Sequence, residues 1–275
     1  MPATFEVLAN YIAEEVEKNK IETVKAYITA LRSHHINNGK PTAAFDDPRL
    51  ARIFKGALRI QGIKPIRERA EITKDVLTAI VATLRNDYNG LNLKAAFCTA
   101  FAAFLRPAEF TWEKWDPTSS PLTFVSRQSI QFTTQGILLH LPKSKTDQYR
   151  QGSIIPLSPS GDSTCPVNAL QTLFQKHPEP STAPLFSRAL GPFNKRWLTD
   201  NINISLLHAG YDPTTYSGHS FRRGAANSAV EAGISRDDIK KMGRWKSDAV
   251  DRYLTQSSTN AQLFDVNRRL HLAPS

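Results

Sequence analysis

Cysteine is nearly absent: the 275 residues contain two, Cys98 in an apolar run and Cys165 before a proline. That number and spacing exclude a disulfide framework and a zinc-ligand set, so both read as reduced structural side chains of an intracellular protein. Long apolar runs are missing as well. No stretch approaches the ~18 residues that a membrane span requires, and no secretory leader is expected. Negative charge is in short supply, with 25 Asp and Glu against 35 Lys and Arg, for a net charge of +10 and a pI near 9.7. A field of that sign attracts polyanions, and nucleic acid becomes the leading partner. What the chain does have is an ordinary globular balance, 40% hydrophobic and 22% charged, without repeats or low-complexity segments.

The length suits a small domain followed by a larger one. Apolar residues recur at helical spacing over residues 5–17 (Leu8, Tyr11, Ile12) and 23–34 (Val24, Tyr27, Ile28, Leu31). A third helix is predicted from Asp47-Pro48, a capping residue followed by proline at the first helical position, to Gly62. Its other face carries Arg52, Lys55 and Arg59. Ten Lys or Arg lie between Lys25 and Arg69 against Asp46, Asp47 and Glu68, so this unit is suited to hold a duplex by its phosphates. The aperiodic stretch around residues 64–71 reads as a linker, which divides the chain into a helical unit (1–63) and a larger one (72–275).

Helices are then predicted over residues 74–85 and 91–105, before "RPAEFTWEKWD" interrupts the pattern. The runs "SIQFTT", "GILLHL" and "GSIIPL", separated by turn residues and the basic loop "PKSKTDQYRQ", imply a small antiparallel sheet. Helical patterns return over 167–176, 193–208, 219–232, 237–242 and 249–254. The fold class is therefore mainly α with a small antiparallel β-sheet. Near the end, "NAQLFDVNRRL" is an amphipathic pattern suited to packing on a neighbouring molecule.

His219 and Arg222 stand three apart in "SGHSFRRGAANSAVEAG", which on a helix puts them on one face. Alone, such a pair is most often an incidental surface contact. The chain also places Arg106 in "LRPAEF", Lys145 in "SKTD" between two strands, and Trp245 and Tyr253 in "GRWKSDAVDRY", in that order. Together these motifs resemble the tyrosine recombinases and phage integrases over most of the chain. "SGHSFRRGAANSAVEAGIS" is similar to the Cre recombinase branch, and the wider pattern is similar to the recombinases of Crypton-type mobile elements.

The resemblance implies a helical core-binding domain, a catalytic domain, and DNA strand transesterification through a covalent 3′-phosphotyrosine. Arg106 and Arg222 are then the guanidinium clamp on the non-bridging oxygens of the pentacoordinate state. Tyr253 is the nucleophile, whose phosphotyrosine bond conserves the energy of the broken strand without ATP. Lys145 is the general acid for the leaving 5′ oxygen, and His219 binds the phosphate or accepts the tyrosine proton. Trp245 is expected to pack beside it. Glu109, one turn from Arg106, either orients that arginine or forms a plain surface pair. No metal or other cofactor is expected, because the arginines and lysine supply the positive charge. One departure stands out: the family places its last His or Trp directly after the glycine, whereas Gly243 is followed by Arg244 and then Trp245. Either can fill that position, and Trp245 is the closer chemical match.

Arg32, Lys55, Arg59, Lys143, Lys195, Arg196 and Arg223 read as phosphate contacts that bind any sequence. Double-stranded DNA is the expected partner, with self-assembly into dimers or tetramers on it and no membrane. The expected location is the nucleus in a eukaryote and the nucleoid or cytoplasm in a bacterium or phage. Two other readings share the same residues: a DNA-binding descendant that no longer cuts, and a relaxing enzyme like the type IB topoisomerases.

Overall fold

The computed structural model describes residues 3–62, 69–143, 147, 151–246 and 251. The chain divides into two compact units, Met1–Arg67 and Glu68–Ser275.

The first unit contains α1 (Phe5–Lys18), α2 (Ile21–Asn37) and α3 (Pro48–Gln61). Three of these boundaries have a plain local cause. The Thr4 hydroxyl accepts from the Val7 amide at the start of α1. The Asp47 carboxylate accepts from the Arg49 amide ahead of Pro48, and Gly62 takes a left-handed φ of 67° past the end of α3. Leu8, Ile12, Val24, Ile28 and Leu50 form the core. Tyr27 and Leu31, predicted on the apolar stripe of α2, are instead partly open to solvent, whereas Ile21, ahead of the predicted start of the helix, is buried. Arg52, Lys55 and Arg59 lie exposed on α3, and Arg32 pairs with Asp46 at 3.0 Å.

The second unit is built around α5 (Tyr88–Ala102), whose residues from Gly90 to Ala100 are buried almost without interruption. A helix apolar on every side belongs in the middle of a core. It is preceded by α4 (Lys74–Ala82) and followed by the single turn α6 (Pro107–Phe110), which falls where the apolar pattern breaks. The strands β1 (Ile130–Thr133), β2 (Gly136–Leu141) and β3 (Ser153–Leu157) form the antiparallel sheet in the order β1-β2-β3. Ile130 stands opposite Leu139, and Leu139 opposite Ile155, so one face of the sheet enters the core. After α7 (Pro166–Lys176) comes a two-residue pair, β4 (Ser187–Arg188) with β5 (Gly191–Pro192), too short to leave a sequence pattern. Then follow α8 (Lys195–His208), α9 (Ser220–Glu231) and α10 (Arg236–Met242).

Residues 69–71, part of the stretch read as linker, are held on this second unit. The Ala70 amide donates to Thr215 O and the Ile72 amide to Ser220 O, while Arg69 donates to the carbonyls of Thr214 and Tyr216. Gly224 permits the approach, because a Cβ there would lie 1.8 Å from Ile72 O. Both cysteines are free and buried, and burial pushes the Cys98 thiol up to about 12. The helix predicted at 249–254 and the segment "NAQLFDVNRRL" lie outside the described residues.

Candidate active site

Two helix ends create the site. At the end of α5, Phe104 adopts a left-handed φ of 51°, and the Leu105 amide reaches back to Ala100 O. At the end of α10, Arg244 does the same with φ 57°, and the Trp245 amide reaches back to Lys240 O. Both are the turn that normally takes glycine. They are the two non-glycine residues with positive φ in the second unit, among the described residues. Each costs about 1–2 kcal/mol relative to glycine, and such strain persists only where surrounding contacts over-determine it.

Those contacts are guanidinium groups. Arg222, on the first turn of α9, is fully buried and donates from Nη1 to Phe104 O and from Nη2 to Gly243 O. Its guanidinium carbon lies 4.0 Å from the ring centroid of Trp245, which also meets Phe104 edge-on at 6.1 Å. The Trp245 ring lies so close over Gly243 that a Cβ there would fall 1.6 Å from Cζ3. Glycine is therefore needed at the helix end itself, and the left-handed position passes to Arg244.

Arg244 folds inward. Its Nη1 donates to Ala103 O (3.0 Å), and Nη2 donates to Phe104 O (3.4 Å) and Glu109 Oε2 (3.0 Å). Burial holds its pKa below the ordinary arginine value, opposed by the Glu109 charge. Glu109, itself buried, also accepts from the Arg106 amide (2.9 Å) and, through Oε1, from Arg106 Nη1 (2.8 Å). One carboxylate thus holds two arginines.

Beside this cluster opens a cavity of about 800 Å³, whose wall includes Arg69, Arg106, Lys143, Lys195 and His219 against Glu109 alone as a carboxylate. Pro107, Phe124, Leu198 and Tyr216 supply apolar surface, with the Lys143 ammonium 4.1 Å from the Phe124 ring centroid. A cleft of one sign with apolar walls concentrates its field on an anion. His219 precedes the first turn of α9 and is exposed. Desolvation from its packed side holds the imidazole below its usual pKa, and the positive charges of Arg222, Arg106, Arg223 and Lys195 lower it further. A second cavity, of about 450 Å³, is bounded by Asp147, Ser153, Lys240, Arg244 and Trp245.

Of the predicted site residues, Arg106, Glu109, His219 and Lys143 with Lys195 meet at the larger cavity. Arg222 and Trp245 do not line it: Arg222 is buried with its guanidinium stacked on Trp245, which borders the second cavity. His219 and Arg222 do not share one helical face: the histidine stands ahead of the helix and is exposed, whereas the arginine points into the core. Arg223 is partly buried and donates to Arg69 O. Arg196 is 93% exposed, within 4.0 Å of Asp200. Lys145 and Tyr253 lie outside the described residues. Sequence reasoning missed Arg69 and Tyr216, which reach the cavity through pairing across about 145 positions and carry no local signal.

No protein-family model matches the chain. It is 27% identical over 272 residues to an integrase/recombinase xerD homologue of Selenomonas ruminantium, covering 94% of this chain and 75% of that protein. Its fold is similar to that of the Tn1549 transposon integrase in complex with transposon right end DNA (TM-score 0.61, 13% identity, 96% of this chain and 86% of that one). XerA recombinase gives a TM-score of 0.53 at 12% identity over 95% of this chain and 90% of that one. The lambda integrase dimer bound to a COC′ core site gives 0.53 at 15% identity, covering 92% of this chain and 65% of that one. The chain has the fold of the tyrosine recombinases. Within that fold the motifs carrying Arg106, His219, Arg222 and Trp245 converge on one region of the second unit, although they are spread over 140 positions of sequence.

Proposed function

We propose that the chain is a site-specific DNA recombinase or integrase that cuts and rejoins strands through a covalent 3′-phosphotyrosine. The observation that carries this reading is the cavity where Arg106, Lys143, Lys195 and His219 face one space with a single carboxylate, Glu109, tied up by two arginines. A phosphodiester in that space meets donors matched to the extra negative charge of its pentacoordinate state.

In the proposed reaction the Tyr253 hydroxyl oxygen attacks phosphorus. The P–O5′ bond breaks, Lys145 gives a proton to the departing 5′ oxygen, and the tyrosine proton passes to His219 or water. The depressed pKa of His219 leaves it neutral near pH 7 and able to accept that proton. Arg106 stabilises the phosphate directly. Arg222 contributes its charge from behind, and Trp245 covers its guanidinium and fixes it. The exposed Lys55 and Arg59 of the first unit, with Arg32, Arg196 and Arg223, are proposed to hold the duplex by its phosphates. Double-stranded DNA is the partner, on which protomers assemble as dimers or tetramers; a cell compartment containing DNA is the corresponding location. No helix among the described residues is long and apolar enough to cross a membrane.

The test is a set of nicked duplexes drawn from the DNA that flanks the coding region. Wild-type protein should leave an adduct that survives denaturation, and Tyr253→Phe should abolish the adduct while binding persists. Binding without any wild-type adduct refutes the cleavage reading and identifies a DNA-binding protein. Relaxation of plasmids lacking that flanking DNA identifies a topoisomerase.

A further inference from the structure

We propose that Arg244 is a positioning residue for Arg106, acting through Glu109. The inference rests on the function proposed above and assigns the residue after Gly243 a task of its own. It starts from an anomaly: a non-glycine side chain occupies a left-handed turn although a glycine stands next to it. The Trp245 ring explains why Gly243 cannot move, but not why position 244 is arginine.

The contacts of the side chain supply the reason. Glu109 has two oxygens and three donors to serve. Oε1 takes Arg106 Nη1, while Oε2 takes the Arg106 amide and Arg244 Nη2. With Oε2 engaged, the carboxylate holds Arg106 by one guanidinium nitrogen only. Among the described residues no acceptor takes Nη2 or Nε of Arg106, which therefore remain for a ligand in the cavity. The negative charge of Glu109 is also divided between two cations rather than spent on one. Take Arg244 away, and the Arg106 amide alone holds Oε2; giving up that one bond lets the carboxylate grip the Arg106 guanidinium with both oxygens, the geometry that guanidinium and carboxylate prefer. The clamp would then be neutralised and withdrawn from the phosphate. Arg244 reaches this place only because its left-handed backbone turns the side chain back across the end of α5, where Ala103 O and Phe104 O fix it. Arg244 borders the smaller cavity and Glu109 borders the larger.

The experiment measures single-turnover adduct formation on the nicked duplex by the full chain, for wild type, R244G, R244K, E109Q and R244G/E109Q. R244G relieves the backbone strain but also frees the carbonyls of Ala103 and Phe104, so the double variant separates a positioning role from a structural one. R244G should slow the adduct by about tenfold or more, the size of coupling seen between groups in one charge network. R244K, which keeps a charge for Glu109, should recover at least part of that loss. The decisive arm is the double variant: once Glu109 is neutral there is nothing to restrain, so R244G/E109Q should be no slower than E109Q alone. Losses that multiply in the double variant, or an R244G rate within twofold of wild type, overturn the proposal while leaving the recombinase reading intact. R244K failing as badly as R244G likewise overturns it. Absence of a wild-type adduct refutes the recombinase reading itself, and this inference with it.

Discussion

Replacing Gly243 by alanine is the sharpest probe of the buried layer behind the site. Its φ of −81° is ordinary for alanine, so the backbone accepts the change and the effect isolates one methyl group. That methyl would sit 1.6 Å from Cζ3 and 2.1 Å from Cε3 of Trp245, well inside contact distance, and the indole must leave its place. Two interactions go with it. The Arg222 stack at 4.0 Å contributes about 0.5–2 kcal/mol, and the edge-on pair with Phe104 about 0.5–1.5 kcal/mol. Against this, glycine to alanine stiffens the unfolded chain and contributes about 0.4–1 kcal/mol the other way. The balance is a net destabilisation of about 1.5 kcal/mol, read from denaturant unfolding followed by tryptophan emission. The same substitution in a Trp245→Ala background removes the clash and keeps the backbone gain, so its sign should reverse to a stabilisation of about 0.4–1 kcal/mol. An unchanged midpoint for Gly243→Ala, or an equal loss in both backgrounds, would refute the reasoning.

Two further outcomes follow from the charge of the cavity. His219 has a folded-state pKa below the ordinary imidazole value of about 6.5, so its contribution to stability is present above that pH and is lost as pH falls through the folded value. Its ring resonances should titrate with a midpoint below that of a free histidine; Lys195→Gln should raise the midpoint, and bound duplex should raise it further. A midpoint at or above the ordinary value would contradict the electrostatic account. Lys143→Gln combined with Lys195→Gln should weaken duplex binding irrespective of sequence. It should also flatten the slope of log affinity against log salt by about 1.8, two phosphate contacts at about 0.9 each; an unchanged slope would remove both lysines from the interface.

Local rules made much of the architecture legible. Asp47-Pro48 and Gly62 bracket α3 because a cap, a fixed φ and a left-handed stop act within a few residues. The three β runs appear as β1, β2 and β3 because short apolar runs between turn residues mark strands, although β1 buries Ile130 alone. Tyr27 and Leu31 went the other way: a helical period identifies a stripe but not how much of it the neighbouring helices cover. The motifs around Arg106, His219, Arg222 and Trp245 were readable as types in order. Their arrangement was not.

What the sequence by itself determined is therefore the charge, the helical and strand periods, the caps, and the residue types available for work on a phosphate. Which of those residues face the cavity was decided only in three dimensions. Arg222 went inward because the carbonyls at the ends of α5 and α10, 118 and 21 positions away, converge on its guanidinium. Arg244 met Glu109 across 135 positions because the Trp245 ring claimed Gly243 and left the left-handed turn to its neighbour. Hydrogen-bond geometry and excluded volume between distant segments settled both, and neither leaves a trace in local spacing.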